Sequence, residues 1–315
     1  MQRVADERGA VAVIVALLMV PLMGFAALAI DVSALWAQKQ QLQNGADAGA
    51  LAIAQECLKG SCGSTAQTAQ SLAAANLNSG SSTATVTSLT SNSVTVRNSS
   101  VRQHLFAPVL GIDASNVAAS ATVSWGVPTG GIGRLPLTFN LCEFNHYTGG
   151  GVPSDTIERT ILFSKTKSPT TCAPKPGNFV PGGFGWVEVN SGTCNRRSAV
   201  SGVLSQLESD PGNSPPSSCS PADFASMRNQ TVLLPVFDDW GGTGSNAYFK
   251  VHGYAAFKIT GYYFASQFTY GSPLPCAGNE RCIRGYFTKM VNRDASFTYG
   301  SGAPDLGSSV ISLTD

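Results

Sequence analysis

Eight cysteines, three histidines and a few acidic clusters are the side chains of this sequence whose types and spacing could do chemistry. The cysteines are Cys57, Cys62, Cys142, Cys172, Cys194, Cys219, Cys276 and Cys282, and no two of them form a CxxC pair. His104, His146 and His252 do not fall at zinc-ligand spacing from them. An even set of cysteines, all C-terminal to a hydrophobic segment, reads as up to four disulfides made in an oxidising compartment. Spacing favours Cys57–Cys62 and Cys276–Cys282, because short turns close without a long loop, and the pairing of the others stays open.

Catalytic chemistry finds little support. A serine nucleophile needs a positioned base, and GxSxG is absent. His146, in CEFNHYTGG, reads as a loop histidine bonded to backbone, and His252 sits in a strand pattern. Asp238 and Asp239 with Asn246, in FDDWGGTGSN, offer hard oxygen ligands of the kind calcium takes, but EF-hand spacing is missing and a polar hairpin tip needs no metal. Glu143, Asp155 and Glu158 are carboxylates of the type used in glycoside hydrolysis; nothing fixes their separation, and they read as solvated loop charges. The sequence therefore assigns no catalytic residue, cofactor, metal or small-molecule substrate. Trp125, Trp186, Trp240 and the run Tyr262 to Phe264 are candidates for an adhesive or glycan-binding surface, core packing being their ordinary use.

The elements that would carry these residues begin with an anchor. From Ala10 to Ile30 the chain reads AVAVIVALLMVPLMGFAALAI without a charge. As a helix it spans about 32 Å, close to a hydrocarbon core of about 30 Å. Pro21 and Gly24 are tolerated in such helices. Ala27-Leu28-Ala29 has the small-x-small form of a signal-peptidase site, but the apolar run is longer than a signal core. The helical pattern also continues past it, so an uncleaved anchor is expected. Leu28, Val32, Leu35, Lys39, Leu42, Ala46, Gly49 and Ile53 recur at spacings of four and three, one seam of a single rod from about residue 10 to about residue 57. All but Lys39 are apolar or small. This seam would take either a partner helix or the chain's own segment from Thr83 to Val127. Trp36 suits an interfacial aromatic anchor. Arg3 and Arg8 precede the span and only Lys39 closely follows it, so the N-terminus is expected inside and the bulk outside.

Three blocks of this rod, RGAVAV (Arg8 to Val13), GFAALAIDV (Gly24 to Val32) and QLQNGADAGALA (Gln41 to Ala52), resemble the N-terminal domain of TadG-like proteins of the Tad/Flp pilus system, the TadE/TadG-like group. VRQHLFAPVLGI and SNVAASATVSWG are similar to the short helix and strand that close that family's membrane-proximal region. The resemblance implies a pseudopilin-like or minor-pilin-like accessory of a pilus or secretion machine. Pilins of the system are cut after a glycine and carry glutamate at the fifth mature position. Here Gly9 is followed at that position by Ile14, which argues against processing and against a major filament subunit. The DxSxS signature of the metal-binding domain in some relatives is absent.

Charged residues make up 12% of the chain, about half the usual share, while Gly (33) and Pro (17) are plentiful. The net charge is +1 with no Lys/Arg block, which gives nucleic acid no footprint. Residues 60–80 read as a loose connection or a second short helix around Ala66 to Ala75. TATVTSL and SVTVRNS alternate as a hairpin, Val101 to Leu110 forms a helical face limited by Pro108, and Ser115 to Val127 returns as a strand. GVPTGGIGR reads as a linker. LPLTFNL, TILFS, FGWVEV, TVLLPVF, YFKV, YAAFKITGYYF and RGYFTKMV then alternate with turns, as in an antiparallel sandwich or barrel, with PGNSPPSSCSP a surface loop pinned by Cys219.

The expected fold is α+β: a transmembrane, pilin-like helix with its extension (1–57), a small ββαβ membrane-proximal region (58–126), a glycine-rich linker (127–134) and a mostly antiparallel, disulfide-bearing β domain (135–315). The expected function is a non-enzymatic, single-pass accessory of Tad/Flp pilus assembly in the cytoplasmic membrane. Its partners are the bilayer, through residues 10–30, and other pilus or pseudopilin proteins. A cell-surface adhesin or glycan-binding module sharing the anchor is the alternative.

Overall fold

The computed structural model describes residues 8–78, 80–163, 183–243, 246–265, 267–290 and 292–314. The fold is α+β, one long apolar helix followed by mostly antiparallel sheets. Its contacts divide it into two units, residues 1–124 with 313–315, and residues 125–312.

The first unit is built on α1 (Arg8–Leu58), a continuous helix of 51 residues that passes through Pro21. At 1.5 Å per residue it is about 77 Å long. A second helix, α2 (Thr65–Ala75), packs along its C-terminal half. Gly45 sets how closely, since a Cβ there would stand 3.1 Å from Ala73 Cα, whereas one on Gly49 would make an ordinary contact 3.4 Å from Ala69 Cα. Beside the helices lie β1 (Thr83–Leu89), β2 (Ser93–Gln103) and the first part of β3 (Ala114–Gly133), an antiparallel meander. The strand β2 alternates so that Val94, Val96, Asn98 and Ser100 point inward, as period two requires. Cys57 and Cys62 are bonded at the end of α1.

The second unit centres on an eight-stranded sheet in the order β5 (Arg159–Leu162), β12 (Cys282–Thr288), β10 (Tyr248–Ala265), β9 (Thr231–Gly241), β4 (Leu137–Asn140), β6 (Phe184–Trp186), with β8 (Gln206–Glu208) and β11 (Phe268–Tyr270) on β10. Only β4–β9 among the registered pairs of this sheet is parallel. Its middle strands are buried on both faces. Leu234, Val236, Phe257 and Ile259 join an aromatic core with Phe139, Phe144, Trp186, Phe224, Phe264 and Phe287 on one side. Leu233, Phe237, Val251 and Tyr254 pack on the other with Phe297. Phe297 comes from β13 (Phe297–Gly300), which pairs with the end of β3, as does β7 (Arg196–Ala199). The unit is thus a sandwich. The disulfides Cys194–Cys219 and Cys276–Cys282 staple it, and Cys142 is disulfide-bonded as well. Cys172 lies outside the described residues.

Several local expectations change. Val101 belongs to β2, and only Ala107–Leu110 winds into a 3-10 turn, ended by Gly111 at φ 80°. Residues 127–133 stand in β3, where Cβ atoms at Gly126 or Gly131 would strike the backbone of Gly300 or the ring of Phe297. These glycines serve close strand approach. YFKV and YAAFKITGYYF form one strand, β10, whose register shifts around Val251. His146 lies in the last turn of α3 (Leu141–Thr148), a helix capped by the Asn140 side chain, which accepts from Cys142 N at 2.9 Å, and closed by Gly149 at φ 71°. Glu143, in the first turn of α3, is 1% exposed and so not a solvated loop charge; the helix N-terminus favours a carboxylate there.

Candidate functional site

Helix α1 has two halves of opposite character. From Val11 to Ile30 no residue is buried: Leu17, Val20 and Phe25 are among the most exposed apolar side chains described. One window of this helix is long and apolar enough to cross a membrane. Twenty apolar residues left in water would forgo about 1.5–3 kcal/mol per large side chain, so this half requires a non-aqueous environment. From Leu42 onward the same helix is a protein core. Leu42, Ala46, Ala50, Ile53 and Ala54 are fully buried, and Gly45 and Gly49 are buried with them.

The seam is therefore divided. Leu42, Ala46, Gly49 and Ile53 face α2 and β2, with Val96 Cγ1 lying 3.7 Å from a Cβ built on Gly49. Leu28 and Val32 are exposed and Leu35 half-buried, so the structure brings together only the C-terminal four. Polar residues of QLQNGADAG fasten this half: Gln41 Oε1 accepts from Asn78 N (3.1 Å) and Gln43 Nε2 donates to Ser120 O (3.1 Å).

The halves meet at Asp31, which sequence reasoning did not single out. Its side chain is 4% exposed, and its carboxylate accepts from the backbone N–H groups of Leu105 (2.8 Å), Phe106 (2.9 Å) and Ala107 (2.7 Å). Burial pushes its pKa up, but the three N–H donors, with His104 adding a little, outweigh that and hold it below the ordinary 3.8. The signal was present in the sequence: an acid directly after an apolar span is costly unless something binds it. Its partner, 74–76 residues away, was not legible.

In the second unit the chemically suggestive groups go to separate structural partners. His252 Nδ1 meets Asp238 Oδ2 at 2.9 Å across β9–β10, Asp155 binds Arg159 at 3.1 Å, and Glu158 lies 3.6 Å from Arg284. His104 Nε2 meets Ser115 Oγ at 2.8 Å in the first unit. Among the described residues no group of three His, Cys, Asp or Glu is placed to hold a metal. A recess lined by Tyr147, Asp155, Arg159, Phe257 and Phe287 encloses about 10 Å³, room for a single water. Trp186 is fully buried and Trp125 nearly so, so neither is surface; Tyr262 and Phe264 stack 5.3 Å apart inside the core that holds Trp186.

Residues 9–56 match the Tad family, described as Flp pilus-assembly TadE/G-like. The match covers α1 almost end to end and stops before the disulfide at Cys57 and Cys62. No curated protein and no solved structure matches the chain.

Proposed function

We propose, taking the TadE/G-like match of α1 as premise, that this chain is a non-enzymatic, membrane-anchored accessory of Tad/Flp pilus assembly, pseudopilin-like or minor-pilin-like in role. The observation that carries the reading is the coincidence of that match with a helix whose first half is apolar and wholly unpacked and whose second half is a folded core. Residues 10–30 cross the cytoplasmic membrane once, with the N-terminus inside, and both folded units lie outside, where the disulfides form. Assembly contacts with other pilus proteins run along the part of the seam that the fold leaves open, Leu28 and Val32, with Trp36 beside them.

A photocrosslinking residue at Val32, in cells carrying the pilus system, tests the reading. Crosslinks to pilin-like chains support it, and crosslinks to lipid alone or to unrelated proteins count against it. Val32 is the site of choice because it is 64% exposed, whereas a charge at Leu42, fully buried, would unfold the first unit and report nothing on assembly. Fractionation with N-terminal sequencing is the companion test: a soluble species starting at Ile30 would remove the anchor.

A further inference from the structure

We propose that the loop from Leu105 to Ile112 is a second membrane contact, seating its apolar side chains in the interfacial layer of the bilayer that α1 crosses, on the side where the span ends. The proposal rests on reading residues 10–30 as the span.

Position comes first. The loop is bonded to Asp31, one residue and so about 1.5 Å of helix past Ile30, which attaches it at the end of the apolar run. The interfacial layer beyond the hydrocarbon is about 5–7 Å deep on each side, and the loop lies at its level. The strands agree. Along α1, Asp31 meets Leu105 and Leu42 meets Asn98, so β2 runs back toward the membrane end of the helix and, within the first unit, brings the β2–β3 loop to the end of the span.

Composition comes second. Leu105, Phe106, Val109, Leu110 and Ile112 are all exposed, Val109 at 90%, and no charged residue interrupts LFAPVLGI. Arg102 and Asp113 flank the stretch rather than enter it. Apolar side chains on a short element beside a span gain by burial at the boundary of headgroups and acyl chains.

The backbone is compatible with that placement, since N–H groups met within the chain are not stranded where hydrocarbon begins. Here Leu105, Phe106 and Ala107 donate to Asp31, and position 108 is proline. Val109 donates to Phe106 O, Gly111 to Pro108 O, Ile112 to Ala107 O and His104 to Asp113 O. With these donors met inside the chain, the loop can approach hydrocarbon without stranding them.

The full chain, reconstituted as single copies in phosphatidylcholine nanodiscs, provides the test. An environment-sensitive fluorophore is placed on Val109→Cys, with Leu89→Cys as a control near the opposite end of the hairpin, about 30 Å along the strands, and Leu17→Cys reading the span. The expected result is blue-shifted Val109 emission, quenched by lipids spin-labelled near the headgroup and shielded from aqueous iodide. Leu89 should behave as aqueous, and Leu17 should be quenched by deep labels. Iodide-accessible Val109 with a lipid-quenched Leu17 overturns the proposal alone. A Val109 probe that neither lipid nor water reaches also overturns it, in favour of cover by protein. A Leu17 probe in water overturns the span and the proposal together.

Discussion

At the scale of the residue, two buried acids make predictions of opposite sign. Asp31 ties the span to the β2–β3 loop, and its folded pKa lies below 3.8 because three N–H donors outweigh its burial. A lowered acid contributes stability that is present above the unfolded value and lost as pH falls through the folded one. The loop should therefore be fully held at neutral pH and released only below about 3.8. In Asp31→Ala the amides of Leu105, Phe106 and Ala107 should lose their protection in hydrogen exchange at pH 7, while amides of β2 stay protected; unchanged protection would mean that packing alone holds the loop. Tyr254 works the other way. Burial pushes its hydroxyl up to about 12, against the opposing effect of Ser198 Oγ at 2.8 Å. The folded state then holds a proton that the unfolded chain releases near pH 10, so stability should fall between about pH 10 and 12, by about 1.4 kcal/mol per unit from this group. Tyr254→Phe should flatten that part of the curve in a denaturant series against pH, at a cost of about 1 kcal/mol near neutrality for the lost hydrogen bond.

At the scale of the element, α1 and α2 cross at Gly45 and Gly49, but only Gly45 leaves no room for a side chain, so the two should not respond alike. A methyl at Gly49 meets Ala69 Cα at 3.4 Å, an ordinary contact, while alanine is better than glycine inside a helix. Gly49→Ala should be neutral or stabilising by about 0.5–1 kcal/mol. At Gly45 a Cβ stands 2.8 Å from Asn98 Nδ2 and 3.1 Å from Ala73 Cα, so Gly45→Ala should instead cost about 1–3 kcal/mol in thermal unfolding of the detergent-solubilised chain. Equal effects would refute this geometry. The same elements explain what the sequence made legible. The rod was readable because an uncharged apolar run and a spacing of four and three are local signals, and the short-range disulfides because their turns are short. Which neighbour takes the seam was not readable, since Leu42 and Val32 have the same kind of side chain at equivalent positions and differ only in what the fold brings over them. Nor was the strand at 126–133: its glycines read as a break, whereas they are there for Gly300, Ala199 and Phe297, brought up from distant sequence.

At the scale of the whole molecule, the two units spend their apolar surface differently. The first leaves half of its long helix and the Leu105–Ile112 loop open and is held inside by small residues. The second closes around rings such as Trp186, Phe224 and Phe264, with centroids 4.9–6.2 Å apart, and is stapled by disulfides. The family match ends within α1, so the second unit lies wholly outside it, and its stability is a property that can be measured by itself. Cys194 and Cys219 are nearly buried in that aromatic core and close a loop at a sequence separation of 25. Opening a loop of this size should cost about 3 kcal/mol, mostly by freeing the unfolded chain. In the double variant Cys194→Ser, Cys219→Ser the transition seen through near-ultraviolet aromatic signals should move down in denaturant. The exchange protection of α2 and of the Leu42–Ala54 stretch of α1 should stay where it is, because the core that buries them contains neither cysteine. If both shift together, the chain unfolds as one cooperative body; if only the aromatic signal moves, the two units have separate stabilities.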